Sequence, residues 1–170
     1  MTNGIAHGLP QDRRPISLFL CGDVMTGRGI DQVLPHPVNP ILYEPYLRDA
    51  REYVELAETA HGSIPRPVGF DYIWGDALEE LEHARTDSRI INLETSITTA
   101  EEAFPKAINY RMNPANVGCI MTARIDCCCL ANNHILDWGY TGIEERSLPW
   151  TWRACIMPAL DARLRRHAHL

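Results

Sequence analysis

Lysine is all but missing from this chain of 170 residues: beside 15 arginines there is one, Lys106. The skew reads as the mark of a high-GC coding sequence and says nothing of function. Cysteine is not scarce, with six, yet no two stand at C-x-x-C spacing and no Cys/His group has zinc-finger spacing. The triplet Cys127–Cys128–Cys129 sits in an apolar run and reads as buried small hydrophobes, with a redox or metal role as the alternative. No stretch approaches the roughly 20 apolar residues of a membrane-spanning helix. The segment from Met1 to Pro15 lacks the apolar centre of a signal peptide, so the chain as written reads as cytoplasmic. A basic excess is also missing: the formal net charge is −6, which argues against a broad nucleic-acid-binding face. There is no internal repeat and no low-complexity tract. What is present is ordinary for a globular protein, 45% hydrophobic and 22% charged residues, in a length that fits one domain.

The charge is unevenly spread. Residues 146–170 hold five Arg and one Asp, a net of +4, which leaves −10 for residues 1–145. Residues 1–14 are polar, with Gly, Pro and paired Arg, and read as a flexible leader. Ile16 to Cys21 is a short apolar run that ends at Gly22-Asp23, the pattern of a buried parallel strand with a polar residue at its carboxyl end. Residues 34–69 contain six prolines and form a long connection, with a helix expected near Leu47–Ala60. Asp76 and Glu79 have capping-box spacing ahead of a helix with Leu78 and Leu81 on its apolar edge. Arg89 to Leu93 reads as a second strand, ending at Glu94. Asn113-Pro114 is a helix start, followed by Val117, Ile120 and Met121 on one face. Ile125 to Ala131 is a third apolar run, ending at Asn132-Asn133-His134, and Thr141 to Arg146 begins another helix. Strands alternating with helices predict an α/β fold with a largely parallel sheet.

Each strand candidate ends in a group that can do chemistry: Asp23, Glu94, and Asn133 with His134. In open α/β sheets the ligand crevice lies beyond the carboxyl ends of the strands, so these ends are expected to converge. Two carboxylates, an amide oxygen and an imidazole suit Mn, Fe, Zn or Mg as divalent ions. Alone, each residue has an ordinary reading. Gly-Asp is a common turn, Glu94 fits a helix N-terminus, Asn-Asn is a turn dipeptide, and His134 fits a hydrogen-bonded histidine.

The segments FLCGDVMTGRGID (19–31), FDYIWGDALEELE (70–82), RIINLETSIT (89–98), KAINYRMNPANV (106–117) and LANNHILDWGYTGIEE (130–145) together resemble the CapA family of capsule-synthesis proteins, named for poly-γ-glutamate biosynthesis. The resemblance runs in order over roughly residues 16–145. It implies the N-terminal part of a calcineurin-like metallophosphoesterase α/β sandwich, incomplete here. By that resemblance Asp23 stands for the first metal-binding Asp of a D-x-H motif, Glu94 for the carboxylate bridging the metals, Asn133 for a ligand of the second metal, and His134 for the general acid at the leaving oxygen. Two ions about 3.5–4 Å apart would clamp the attacking and leaving oxygens. Met25 departs from the pattern, since it stands where D-x-H has its His and a thioether is a poor ligand for hard ions. Arg28 and Arg111 are candidates for holding an anionic substrate through bidentate bonds, with surface solvation or a salt bridge as the alternative.

The resemblance implies metal-dependent hydrolysis or transfer at a phosphate ester or amide, on an anionic polymer or a phosphate-containing substrate, in a capsule-synthesis complex. Members are often exported or membrane-associated. The alternatives are a non-catalytic binding component and an inactive truncated product. The pattern ends after Glu145, where residues 146–170 follow as an aberrant tail that reads as frameshifted. His167 and His169 in that tail resemble an H-x-H metal pair, with chance as the alternative. The domain is therefore expected to stop before it is complete, with residues 15–145 as its N-terminal portion and little activity of its own.

Overall fold

Ser88–Leu93 (β2) is the middle of the molecule, and its sequence alternates: Arg89, Ile91 and Leu93 are buried, while Ser88, Ile90 and Asn92 are half-exposed. The computed structural model describes residues 15–144; the leader, the tail after residue 144 with Cys155, His167 and His169, and Arg146 at the end of the last expected helix lie outside the described residues. On either side of β2 run Leu18–Val24 (β1) and Cys127–Cys129 (β5), both parallel to it, in the order β1-β2-β5. The α/β class and the parallel sheet expected from the sequence are what the chain adopts. A two-stranded parallel ladder, Ser96–Ile97 (β3) with Arg111–Met112 (β4), sits beyond the sheet's carboxyl end.

The helices are short: Gly29–Val33 (α1), Arg51–His61 (α2), Ala77–His83 (α3), Gly118–Thr122 (α4) and Gly139–Glu144 (α5), with 3-10 turns at Tyr72–Trp74 and Pro114–Asn116. One face of the sheet packs against them. Its core joins Ile91, Leu93 and Cys128 to Leu34, Met112, Cys119 and Ile120, all within a few per cent of full burial. Removing such side chains from water contributes about 1.5–3 kcal/mol for each large one. Arg89 is buried on this same face. Its guanidinium donates to the carbonyls of Leu81 (2.5 Å) and Ala123 (2.8 Å), groups at the ends of α3 and α4 that those helices leave unpaired.

The opposite face is bare among the described residues. Leu18 and Leu20 are 51% and 69% exposed, and β1 is an edge strand, so the expected buried strand is parallel but mostly exposed. The cysteine triplet shows the same split: Cys128 faces the core, Cys127 is half-exposed and Cys129 exposed, because strand geometry turns alternate side chains to opposite faces. Three other local expectations differ in detail. Asp76 precedes α3, but its side chain makes no capping bond, because it takes helical backbone angles itself. The helix expected near Leu47 begins at Arg51. Met121 is 55% exposed, whereas Val117 and Ile120 are buried. Asn113 does cap as expected, its side-chain oxygen accepting from the Ala115 N–H at 2.9 Å.

Candidate functional site

The register of β1 brings the first carboxylate into place. Cys21 pairs with Ile91, but Asp23, not Gly22, pairs with Asn92. Gly22 is therefore the extra residue of a bulge, the device that re-aims a strand side chain. Asp23 comes to lie beside Asn92, whose Nδ2 donates to Asp23 Oδ1 at 2.6 Å and to Glu94 Oε2 at 2.7 Å. One amide thus ties together the carboxylates at the ends of two neighbouring strands. Asn132, after β5, donates to Asn92 Oδ1 and to the Leu93 carbonyl, both at 2.9 Å, which fixes the amide's orientation.

His134 is 7% exposed, and its main chain and Nδ1 are held by close polar contacts. Its N–H donates to Asn132 Oδ1 at 3.0 Å, and its carbonyl accepts from Ser96 Oγ at 2.5 Å. On the ring, Nδ1 lies 2.7 Å from Asp137 Oδ2, and Nε2 lies 3.5 Å from Glu94 Oε1. Tyr110 stacks on the imidazole with centroids 4.1 Å apart. Asp137 is fully buried; it accepts from the Tyr110 N–H at 2.5 Å and is ion-paired through Oδ1 to Lys106, the chain's single lysine. Lys106 Nζ also donates to the Asn133 carbonyl at 2.9 Å and lies 3.4 Å from His134 Nδ1. Such a carboxylate on Nδ1 favours the tautomer that carries its proton on Nδ1.

The strand ends therefore converge as the sequence suggests. Asp23, Glu94 and His134 belong to one network, and Asn133 follows in the same loop, exposed, with its main chain held by Lys106. Arg111 does not join them. It is 6% exposed, donates to the carbonyls of Ala100 and Asn39, and lies 3.9 Å over the Trp138 ring, so its charge serves the loops around β4. Arg28 stands next to the network: its guanidinium carbon is 4.6 Å from the Tyr110 ring centre and 5.0 Å from that of Tyr53. Asn92, Lys106, Tyr110 and Asp137 were not singled out in the sequence. The period-2 placement of Asn92 in an apolar strand is the signal available for the first of them, and the i,i+3 spacing of His134 and Asp137 for the last; Lys106 and Tyr110 act across long sequence separations.

Among the described residues no group of three or more His, Cys, Asp and Glu is placed to hold a metal ion. Asp23 and Glu94 are two hard donors, but the Asn92 amide lies between them, and Met25 offers a thioether that already accepts from the Gly27 N–H at 3.1 Å. These residues fit part of a metal shell and not the whole of a two-metal centre.

Comparison with known proteins gives the site its context. Residues 17–150 match the family model described as bacterial capsule synthesis protein PGA_cap, so the match runs a little past Glu145. Two proteins of Mycobacterium tuberculosis, from strains CDC 1551 and H37Rv, each carry the name "Probable polyglutamine synthesis accessory protein"; each is 52% identical over 131 residues, which cover 76% of this chain and 34% of theirs. The chain thus spans about a third of the length of the curated relatives it matches. No solved structure matches it.

Proposed function

The chain belongs to the bacterial capsule synthesis family PGA_cap, and from that premise we propose that it is an accessory component of polyglutamate-type capsule synthesis whose strand-end site hydrolyses or transfers a phosphate ester or amide. The observation that carries the chemical part is the His134–Asp137 pair. A buried carboxylate 2.7 Å from Nδ1 keeps the imidazole in one tautomer, and Nε2 lies 3.5 Å from Glu94 Oε1. A protonated Nε2 donates to the oxygen of a leaving group; a neutral one accepts the proton of an attacking hydroxyl. General acid–base work of this kind contributes about 10²–10⁴ in rate. Lys106 offsets the charge of Asp137, so the pair is held without an unbalanced buried carboxylate.

Asp23 and Glu94 are the groups that would hold a divalent ion, which would supply polarisation of the substrate oxygen. The relatives' designation as accessory proteins, with Met25 and the Asn92 amide at the carboxylates, favours a second reading: a binding component of the polymer-synthesis complex that carries no chemistry.

One experiment separates the two. Turnover of a model phosphodiester, bound-metal content and binding of poly-γ-glutamate are measured for the wild type, Asp23→Asn and His134→Ala. The catalytic reading expects loss of metal in Asp23→Asn and a turnover loss of about 10²–10⁴ in His134→Ala, with folding unchanged by circular dichroism. A His134→Ala protein as active as the wild type would overturn it. No turnover in any of the three, together with retained binding of poly-γ-glutamate, would establish the binding role instead.

A further inference from the structure

We propose that the cavity beside Arg28 is the apolar half of the substrate site, and that the ligand is an amphipathic anion, with an anionic group at Arg28 and an apolar group in the cavity. This deepens the reading above by naming the substrate class of the same site.

The cavity has a volume of about 380 Å³ and lies between the β1–α1 turn, α2 and the 3-10 turn at Tyr72–Trp74. That is within the range of small-molecule sites, roughly 300–1,000 Å³. Its walls include Met25, Ile30, Val54, Ala57, Ile64 and Ile73, and Arg28 is the one charged residue in its lining. A mostly apolar pocket with one fixed charge at its side selects ligands that carry both characters.

Arg28 is prepared for this at a backbone cost. It stands between Gly27 and Gly29 with φ +50° and ψ −131°, a conformation that glycine adopts freely and arginine does not. Its Nε donates to Glu44 Oε1 at 2.6 Å; Glu44 is fully buried, and its Oε2 accepts from the Tyr53 hydroxyl at 2.6 Å. The guanidinium is further flanked by the rings of Tyr53 and Tyr110. Its orientation is therefore fixed from several sides. Among the described residues the bond from Nε is its one hydrogen bond, which leaves the two terminal nitrogens to donate side by side, the geometry that suits a phosphate or carboxylate.

Met25 gains a reason from the same arrangement. At the position where the D-x-H pattern has a metal-binding His, this chain has a side chain that lines the cavity. The substitution removes an imidazole ligand and adds apolar wall. Tyr110 links the two halves, because it lies beside Arg28 at 4.6 Å and stacks on His134 at 4.1 Å. An anion held at Arg28 is thus next to the ring that stacks on the imidazole.

The test is a calorimetric titration of the 170-residue chain with inorganic phosphate, butyl phosphate and octyl phosphate, all below the micellar concentration. The expected result is an affinity that rises about threefold to fourfold for each methylene until the cavity is filled, the factor for moving a methylene out of water. Ala57→Phe and, as a second filling variant, Ile64→Phe are expected to remove the chain-length dependence while leaving inorganic phosphate binding as it was. Arg28→Ala is expected to weaken all three ligands at least tenfold. Equal affinity for the three phosphates overturns the proposal. So does a chain-length dependence that persists in both filled variants, because the alkyl chain then binds elsewhere, as on the bare sheet face. Binding is read here and not turnover, so chain-length-dependent binding by a protein that fails the phosphodiester assay keeps this inference and removes the reaction.

Discussion

Asp31 shows how a single residue fixes the ground on which the site stands. It is fully buried in α1, three residues after Arg28, and its carboxyl group accepts from the Val38 N–H (2.7 Å), the Asn113 N–H (2.9 Å) and Asn116 Nδ2 (2.9 Å). It thereby joins α1 to the turn before α4 across some 80 residues of sequence. Burial raises its carboxyl above the ordinary 3.8, and the three donors together with the charge of Arg111 pull the other way. The folded protein therefore keeps this proton at a pH where the unfolded chain has lost it. As pH rises from 3.8 through the folded value, stability from this group is lost, and above that value the loss is constant. Urea unfolding of the wild type and Asp31→Asn at a series of pH values from 4 upward checks the sign: the stability of the variant relative to the wild type should improve across that window. A difference that stays flat with pH counts against it. Asp31→Ala, which leaves three donors without their acceptor, should lower stability by on the order of 3 kcal/mol near pH 4, with the difference narrowing as pH rises.

At the scale of elements, the turn from β1 into α1 is set by how closely it passes β4. A Cβ on Gly27 would lie 2.9 Å from the Arg111 carbonyl oxygen and 3.1 Å from its nitrogen, main-chain atoms that have no rotamer to give. Gly27→Ala should therefore push the turn outward, at a cost of about 1–3 kcal/mol in urea unfolding. It should also weaken inorganic phosphate binding, since Arg28 is carried on the displaced turn. A variant as stable as the wild type would show that the two segments can part without consequence.

Elements were legible in the sequence where the signal is local. The apolar runs ending in Asp23, Glu94 and Asn132–His134 locate the strands and the convergence of their ends, and Asn113-Pro114 locates a helix start, because periodicity and caps are properties of neighbouring residues. What was not legible depends on distance. Asp137 looks like any residue of an LDWG turn until the fold puts Tyr110 and Lys106 beside it. Glu44 lies in a proline-rich connection and acquires meaning only through Arg28 and Tyr53. The Gly22 bulge was hidden as well, since Gly-Asp after a strand reads as a turn whether or not the partner strand shifts register. Arg111 misled for the same reason: a cation among polar residues suggests an anion, and only the fold supplies the carbonyls and the Trp138 ring that take it up.

At the scale of the whole molecule, the two faces of the sheet are unequal. One buries Ile91, Leu93 and Cys128 under helices; the other presents Leu18 and Leu20 to solvent on an edge strand whose outer hydrogen-bonding groups have no neighbouring strand among the described residues. An apolar face next to an open edge favours pairing between molecules. The polar cluster of Asp23, Asn92 and Asn132 caps only the carboxyl end of that face, so it does not shield the apolar residues further along the strand. The chain should therefore self-associate as its concentration rises, and light scattering after size exclusion reads this directly. Leu20→Lys places a charge on the exposed face of the edge strand, the means by which edges are kept apart. Because Leu20 is 69% exposed, its loss removes little buried area, and stability should stay within about 0.5 kcal/mol of the wild type. If Leu20→Lys associates as strongly as the wild type, contact runs through another surface; if it unfolds, Leu20 is already covered in the protein as it exists in solution.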